Sequence, residues 1–353
     1  MNTIKPVFAE SGTLEVFLGI DVGSVSTNVA ALDKHKNVIA ESYVLTRGRP
    51  IEAIQEGMQI VKDALPVNAK VRGVGTTGSG RQLAGVVAGA DIVKNEITAH
   101  AVAALHFVEG VHTIIEIGGQ DSKIIILRHG VVTDFAMNTV CAAGTGSFLD
   151  RQASRLGIRI EEFGNLALRS KSPVRIAGRC AVFAESDMIH KQQIGHSLED
   201  ITKGLCQALV RNYLNNVAKG KEIRPPIVFQ GGVASNVGMK QAFEEALGHE
   251  VLIPKYHKVM GAIGAAILAQ DAVGEQGKTN FRGFDGVMRN YKTTGFECDG
   301  CSNRCEIVEI LVEGNIVARW GSRCGKWDNV GMQDDRDAPG AAKSRPGRAH
   351  AAG

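Results

Sequence analysis

Apolar residues in the first third of the chain fall in short runs, separated by turns rich in glycine, aspartate and asparagine. Short β-branched runs between such turns are typical of strands, whereas apolar residues that recur every three to four positions are typical of helices. We therefore predict strands at residues 17–20, 27–32, 38–44 and 71–74. Helices are predicted at residues 51–65, where the pattern stops at Pro66, and at residues 96–107.

The same alternation continues to about residue 270. Strands are predicted at residues 113–117, 123–127 and 227–230. Helices are predicted at residues 147–156, 182–189, 198–217, 237–247 and 260–269. Strands that alternate with helices in this way favour a layered α/β fold.

Composition narrows the class of protein. The chain has 353 residues, which allows one large or two medium domains, and its net charge of +3 is too small to predict a nucleic-acid partner. No apolar stretch reaches the roughly 18–20 residues that span a bilayer, and no secretory signal is recognisable, so no membrane partner is predicted. Seven cysteines with clustered spacings fit a reducing cytoplasm and metal binding better than a disulfide framework.

Three turns that follow predicted strands combine glycine with hydroxyl, amide or carboxylate side chains: residues 21–27, 118–122 and 231–236. A phosphate tail needs backbone N–H groups with no side chain in the way, together with a carboxylate for Mg²⁺. No Walker A motif is present, and no GxGxxG opens a helix after a strand. The predicted nucleotide-binding residues are Gly23, Ser24, Ser26, Thr27, Gly118, Gly119, Gly231, Gly232, Val233 and Asn236.

Within these turns, Asp21 is the best candidate to hold Mg²⁺ through water, because it ends the first strand of the first hairpin. Gln120 and Asp121 are candidates to orient the attacking water or to assist Mg²⁺. Which of these two residues has which role is left open. Asn28 and the hydroxyl residues of the first turn could also be ordinary turn residues.

Two cysteines, Cys141 and Cys180, each stand just before a predicted helix. Two thiolates cannot complete the usual four-cysteine shell of an iron–sulfur cluster, but two copies of the chain on a two-fold axis can. The alternative for either residue is a buried structural cysteine, which is the preferred interpretation for Cys206 in the helix 198–217. Gly144 and Gly146 lie between Cys141 and the predicted helix 147–156. They would allow the N-terminus of that helix to point at the iron–sulfur cluster.

The order of the segments 21–23, 117–121 and 231–233 resembles the actin, sugar-kinase and Hsp70 nucleotide-binding superfamily. The segments 118–123 (GGQDSK), 141–146 (CAAGTG) and 183–186 (FAES) are similar to its BadF/BadG/BcrA/BcrD branch. That branch contains activators of 2-hydroxyacyl-CoA dehydratases and ATPase subunits of benzoyl-CoA reductase. The resemblance covers about residues 16–272.

The resemblance implies two actin-like (ribonuclease H-like) α/β subdomains with an ATP and Mg²⁺ cleft between them. It further implies a homodimer with one 4Fe–4S cluster, bridged by Cys141 and Cys180 of each subunit. A reduced ferredoxin or flavodoxin would load the cluster. ATP hydrolysis would then drive the electron onto an acyl-CoA dehydratase or reductase.

A C-terminal appendix carries four further cysteines, Cys298, Cys301, Cys305 and Cys324. Their spacing suits a structural zinc or a second iron–sulfur cluster, and both remain open. The predicted organisation is a flexible leader (1–14), an N-terminal subdomain (15–137), a C-terminal subdomain (138–275), a cysteine-rich segment (276–330) and a disordered tail (331–353).

Two other functions are compatible with the same fold. A small-molecule, sugar-type kinase would need a sugar-binding acid between the subdomains and would have no use for Cys141 and Cys180. A non-catalytic, metal-binding regulator would bind ATP tightly without hydrolysing it.

Overall fold

The computed structural model describes residues 13–138, 141–275 and 277–330, so the predictions for the leader and the tail lie almost wholly outside the described residues. The chain forms two compact units, and the division lies between Met288 and Arg289. Within the described residues, no helix combines the length and the apolar character that crossing a membrane requires.

A five-stranded sheet opens the first unit, in the order β3-β2-β1-β4-β5. Its strands are β1 (Leu14–Val22), β2 (Ser26–Asp33), β3 (Val38–Leu45), β4 (Ala69–Thr77) and β5 (Ile92–Val93). β1 and β2 are antiparallel, as are β2 and β3, whereas β4 lies parallel to β1. The predicted strands of this region are confirmed, with ends that extend by up to three residues.

Helices α1 (Pro50–Ala64), α2 (Arg81–Ala88) and α3 (Glu96–Phe107) accompany this sheet. α1 begins at Pro50, whose fixed φ suits a first helical position, and it buries Ile54, Met58 and Val61 on one face. α3 is capped by Asn95, whose side chain accepts a hydrogen bond from the Thr98 amide. The predicted α1 and α3 are confirmed.

A second five-stranded sheet has the order β10-β9-β6-β7-β8. It comprises β6 (Thr113–Ile117), β7 (Ser122–Arg128), β8 (Val131–Asn138), β9 (Ile227–Gln230) and β10 (Val251–Leu252). β6 pairs with β7 on one side and with β9 on the other. The sheet boundary therefore differs from the predicted subdomain boundary at residues 137 and 138, because β6–β8 join the strands of the C-terminal half.

The remaining helices of the first unit are α4 (Gly146–Leu156), α5 (Ile160–Leu168), α6 (Ala181–Gln193), α7 (Leu198–Asn216), α8 (Val237–Leu247), α9 (Met260–Val273) and α10 (Gly283–Val287). α7 is buried along much of its length, and its Cys206 is fully buried in the core, as predicted. Tyr213 of α7 packs edge-on against Phe243, and its hydroxyl donates to the Lys123 carbonyl.

α9 joins the C-terminal half of the unit to the first sheet, and glycines permit the contact. A Cβ atom at Gly19 of β1 would lie 1.8 Å from the Ala262 carbonyl oxygen, and one at Gly264 would lie 1.8 Å from the Ala99 carbonyl oxygen. No side chain fits at either position. The close approach places Gly261, near the start of α9, beside Asp21.

The second unit contains an antiparallel sheet of β11 (Tyr291–Glu297), β12 (Glu306–Val312), β13 (Asn315–Trp320) and β14 (Asn329–Val330). It begins later than the predicted start at residue 276. The reason is that α10 is held on α1, where Gln55 donates to the Val287 carbonyl at 3.0 Å. The loops 298–305 and 321–328 leave the same end of the sheet, because β12 and β13 run in opposite directions.

Candidate nucleotide site and cysteine segments

The three glycine turns meet at a cavity of about 260 Å³ whose lining comes from both sheets of the first unit and from α3. The structure brings together there most of the residues predicted for nucleotide and Mg²⁺. The predicted residues in its lining are Asp21, Gly23, Ser24, Ser26, Gly118, Gly119, Gln120, Asp121, Gly231 and Gly232.

Three predicted residues of the same turns lie outside this lining. Thr27 is fully buried, and its Oγ1 lies 3.0 Å from Oγ1 of Thr46, because alternate residues of β2 point to opposite faces. Val233 is buried. Asn236 instead caps α8, where its Oδ1 accepts from the Met239 amide at 3.1 Å.

Asp21 is held in a tight cradle. A Cβ atom at Gly78 would lie 2.4 Å from its Oδ1, and one at Gly261 would lie 2.1 Å from its Oδ2. Burial raises the pKa of Asp21 to about 6, with Lys123 opposing the shift. Glycines on both sides therefore fix the direction of this carboxylate.

Asp21 has Asn28 and Thr77 as its register partners on the neighbouring strands β2 and β4. Oδ1 of Asn28 and Oγ1 of Thr77 are buried and have no hydrogen-bond partner among the described residues. Buried polar atoms are normally satisfied. These two oxygens without a partner lie on the strands beside the Asp21 carboxylate, which fits a hydrated Mg²⁺ ion. Such an ion binds carboxylate oxygen and keeps several waters, and those waters can donate hydrogen bonds to the two oxygens.

A buried ion pair that the sequence reasoning missed lies behind the second turn. Nζ of Lys123 lies 3.0 Å from Oε2 of Glu116 and 2.8 Å from Oδ2 of Asp121. Burial lowers the pKa of Lys123, but the two carboxylates outweigh burial and raise it above its ordinary value. Burial raises the pKa of Glu116 to about 7, against the opposing effect of Lys123.

The signal for this pair was present in the sequence. Glu116 and Lys123 are charged residues inside two otherwise apolar strand segments, and buried charges need a partner. They lie directly opposite one another in the β6–β7 register. A hairpin register assigned from the turn would have paired them.

His100 of α3 also lines the cavity and is buried. Its Nδ1 lies 2.9 Å from Nε2 of Gln230, the last residue of β9. Burial, and secondarily the charge of Lys123, lower its pKa to about 3. His100 is therefore neutral at ordinary pH and holds the strand that leads into the Gly231–Gly232 turn.

The second turn is hydrogen-bonded to the start of α4, the helix that follows Cys141. The amide of Gly146 donates to the Gly118 carbonyl, and the amide of Ser147 donates to the Gly119 carbonyl, both at 2.8 Å. The Gly146 amide is thus engaged within the protein, and that of Gly144 lies 3.4 Å from the Cys141 carbonyl. Neither glycine belongs to the cavity lining.

Cys141 directly precedes a 3₁₀ turn, Ala142–Gly144, and is partly buried. Asn138 holds it from both sides: its Oδ1 accepts from the Cys141 amide at 2.9 Å, and its Nδ2 donates to the Cys141 carbonyl at 2.8 Å. Residues 139 and 140, between them, lie outside the described part of the chain.

Cys180 is the residue before α6, as predicted, and is partly buried. Nδ2 of the buried Asn212 in α7 donates to the Gly178 carbonyl at 2.6 Å. A Cβ atom at Gly144 would lie 2.8 Å from Oδ1 of the same asparagine. One buried side chain therefore lies between the segments of Cys141 and Cys180.

In the second unit, Cys298 is buried and its Sγ accepts hydrogen bonds from the Gly300 amide at 3.5 Å and from Nε1 of Trp327 at 3.2 Å. These two bonds lower its pKa. Cys305 is partly buried, whereas Cys301 and Cys324 are exposed. Across residues 13–138, 141–275 and 277–330, no three His, Cys, Asp or Glu side chains are grouped closely enough to hold a metal ion.

Comparison with known proteins gives a family match. The model of the BadF/BadG/BcrA/BcrD ATPase family matches residues 18–269. A relative from Acidaminococcus fermentans, the (R)-2-hydroxyglutaryl-CoA dehydratase activating ATPase, is 36% identical over 259 residues, which are 71% of this chain and 96% of the relative. The activator of lactoyl-CoA dehydratase from Anaerotignum propionicum is 32% identical, over 72% of this chain and 97% of that protein.

A solved structure is similar as well. The activator of the 2-hydroxyisocaproyl-CoA dehydratase from Clostridium difficile, with bound ADPNP, superposes with a TM-score of 0.66. It is 30% identical, and the alignment covers 72% of this chain and 94% of that chain. The fold is therefore the predicted actin-like α/β fold. The family match ends before the second unit begins.

Proposed function

The chain belongs to the BadF/BadG/BcrA/BcrD ATPase family, and we propose that it is an ATP-dependent activator of a 2-hydroxyacyl-CoA dehydratase or a related acyl-CoA reductase. One observation carries the proposal. The carbonyls of Gly118 and Gly119, in the turn that lines the nucleotide cavity, accept hydrogen bonds from the first amides of the helix behind Cys141. A change at the phosphates is thereby transmitted to a cysteine segment.

ATP would lie in the cavity with its phosphates against the turns of Gly23, Gly118 and Gly231. Asp21 would hold Mg²⁺ through water, and Asn28 and Thr77 would accept hydrogen bonds from the waters of the ion. Gln120 and Asp121 are the candidates to orient the attacking water. The ion pair with Lys123, at 2.8 Å, fixes the position of the Asp121 carboxylate at the edge of the cavity.

Cys141 and Cys180 would hold a 4Fe–4S cluster together with the same two residues of a second copy of the chain, which makes the protein a homodimer. Each chain supplies two partly buried thiols at helix starts, half of a four-cysteine shell. Such a cluster supplies one-electron chemistry, with ferredoxin or flavodoxin as the donor. The N-terminus of α6 behind Cys180 favours the added negative charge.

The four cysteines of the second unit form a separate proposed metal site, for zinc or for a second iron–sulfur cluster. Thiolate donors suit either metal, and the two loops that carry them leave one end of the sheet. The described side chains are not grouped as a ready-made site. The proposed electron transfer therefore does not involve this second site. We propose a reducing cytoplasm as the compartment of the protein, because it keeps the cysteines free to bind metal.

Anaerobic purification of the wild type and of Cys141→Ala tests the proposal. We expect the wild type to be brown, dimeric and to hold about four iron atoms per dimer that Cys141→Ala lacks. Cys206→Ala is the matched control, because Cys206 is buried in α7 and should leave the iron content unchanged. A colourless wild type that is indistinguishable from Cys141→Ala would overturn the electron-transfer function and favour a kinase.

A further inference from the structure

Glu185 of α6 bridges two arginines of α4. Its Oε2 lies 3.0 Å from Nε of Arg151, and its Oε1 lies 2.6 Å from a terminal nitrogen of Arg155. Arg151 and Arg155 are four residues apart, so they lie on the same face of α4 on successive turns. Both oxygens of one carboxylate are thus occupied by one neighbouring helix.

The two helices that this carboxylate joins lead from the nucleotide to the cysteines. α4 starts at the amides of Gly146 and Ser147, which donate to the Gly118 and Gly119 carbonyls of the second glycine turn. α6 starts directly after Cys180. If these two helices are held together, a movement of the Gly118–Gly119 turn reaches both the segment of Cys141 and the segment of Cys180.

Contacts on the far side of α6 extend the connection to Cys180 itself. Oδ2 of Asp187, half a turn beyond Glu185, accepts from the Ala177 amide at 2.8 Å. The buried Asn212 holds the next residue, Gly178, through its carbonyl. The chain entering Cys180 is thus fixed to α6 and α7 together.

The energetics favour a positioning role over a folding role. The side chain of Glu185 is 17% exposed, but those of Arg151 and Arg155 are 65% and 44% exposed. Ion pairs with such exposed partners contribute little to stability, because water screens their charges. The geometry is nevertheless specific, because two guanidinium groups fix one carboxylate at two points.

We propose that Glu185 is a positioning residue that couples α6 to α4, so that nucleotide exchange moves the segments of Cys141 and Cys180 as one body. The inference rests on the proposed function, since it assigns a consequence to the cluster between those segments. It identifies Glu185 as the side chain that transmits the movement caused by nucleotide exchange to the segment of Cys180.

The test compares wild type with Glu185→Gln, which keeps the shape of the side chain and removes its charge. For each protein we would measure iron per dimer, basal ATP hydrolysis, and the midpoint potential of the cluster with ADP and with a non-hydrolysable ATP analogue. We expect Glu185→Gln to keep its iron and its basal hydrolysis. The difference in potential between the two nucleotides should be lost.

Two further variants keep the test sharp. Arg151→Gln combined with Arg155→Gln removes the same contact from the α4 side and should also lose the nucleotide-dependent difference. Arg159→Gln removes an exposed arginine that pairs locally with Glu161 and should behave as wild type.

The outcomes separate the two proposals. If Glu185→Gln and the arginine double variant keep the cluster and the full nucleotide-dependent difference, the coupling role is wrong and the activator function stands. If both variants lose their iron, Glu185 is needed to build the site and the coupling role is equally overturned. A wild type without a cluster would overturn both proposals.

Discussion

The two regions that carry candidate metal-binding cysteines differ in what holds those cysteines. Cys141 and Cys180 lie in segments fixed by the partly buried Asn138, by the buried Asn212 and by a helix whose first amides donate to the Gly118–Gly119 turn. Cys298, by contrast, receives its hydrogen bonds from the neighbouring Gly300 and from Trp327 of the adjacent loop. Similar thiol chemistry in the sequence thus stands in two different structural settings.

This difference indicates which of the two proposed metal sites could respond to ATP. Coupling requires a continuous set of bonds between the phosphate-binding backbone and the ligand segment, and the region of Cys141 and Cys180 contains one. The family match, residues 18–269, covers that region and ends before the region of Cys298. We therefore expect nucleotide-dependent behaviour from the first region and local behaviour from the second.

The largest effect that would sharpen the comparison is expected from Asp21→Asn. Removing the carboxylate that is fixed by Gly78 and Gly261 should abolish most Mg²⁺ binding. Loss of several kcal/mol of metal stabilisation corresponds to about a 100-fold or greater fall in ATP hydrolysis. Steady-state phosphate release measures it, and Asp271→Asn, which changes an exposed aspartate, is the matched control. Undiminished hydrolysis in Asp21→Asn would refute the assignment.

Lys123→Met should destabilise the first unit. It would leave Glu116 and Asp121 without their buried cation, which costs about 3–5 kcal/mol in the free energy of unfolding. Helices α1–α10 lie in the first unit, so circular dichroism in urea follows its unfolding. Tryptophan fluorescence follows the second unit, because both tryptophans, Trp320 and Trp327, lie there.

The control for this prediction is Lys221→Met, which removes a partner of the exposed Asp134 and should change stability little. Equal and small changes in the two lysine variants would show that the buried pair does not stabilise the first unit.

Acid should weaken Mg²⁺ binding at Asp21. Burial raises the pKa of Asp21 to about 6, so its ionised fraction falls as the pH drops through that value. Because Mg²⁺ needs the carboxylate, its apparent affinity should fall about tenfold for each pH unit below about 6 and stay level above about 7. Mg²⁺ titration with bound ADP measures the affinity. An affinity that stays constant down to about pH 5 would contradict this account.

The smallest effect is expected from Trp327→Phe. The substitution keeps the aromatic contact with Phe296 and removes the N–H that donates to Cys298. Because that hydrogen bond lowers the pKa of Cys298, its thiol should react more slowly with an alkylating agent near neutral pH, as mass spectrometry of the Cys298 peptide would record. ATP hydrolysis should not change. An unaltered alkylation rate would show that Trp327 does not control this thiol.

The sequence predicted the elements whose signals are local. β6, β9, α3 and α8 begin and end where their apolar patterns and caps indicate. β8 was missed because it is an edge strand with a mixed polar pattern and several exposed residues. The small sheet of the second unit was missed because β11 is largely exposed, β13 has one buried residue, and the apolar residues of β12 do not alternate regularly with polar ones.

The glycine turns of the site were predicted from the sequence, whereas the contacts between side chains of neighbouring strands were missed. A glycine-rich turn after a strand can be recognised in a short stretch of sequence, so Gly23, Gly118 and Gly231 were predicted correctly as residues of the cavity. Pairing Glu116 with Lys123 required the β6–β7 register, and placing Thr77 beside Asp21 required the parallel β1–β4 pairing. The β6–β7 register could have been assigned from the hairpin turn between the two strands, whereas the long-range β1–β4 pairing has no signature in a single stretch of sequence.

The most direct test of the central claim, that nucleotide controls the region of Cys141 and Cys180, is the rate at which an iron chelator removes iron under anaerobic conditions. The measurement uses Cys301→Ser, which disables the proposed second site, with either ADP or a non-hydrolysable ATP analogue bound. We predict clearly different rates of iron loss with the two nucleotides. Identical rates, from a protein shown to bind both, would contradict the account.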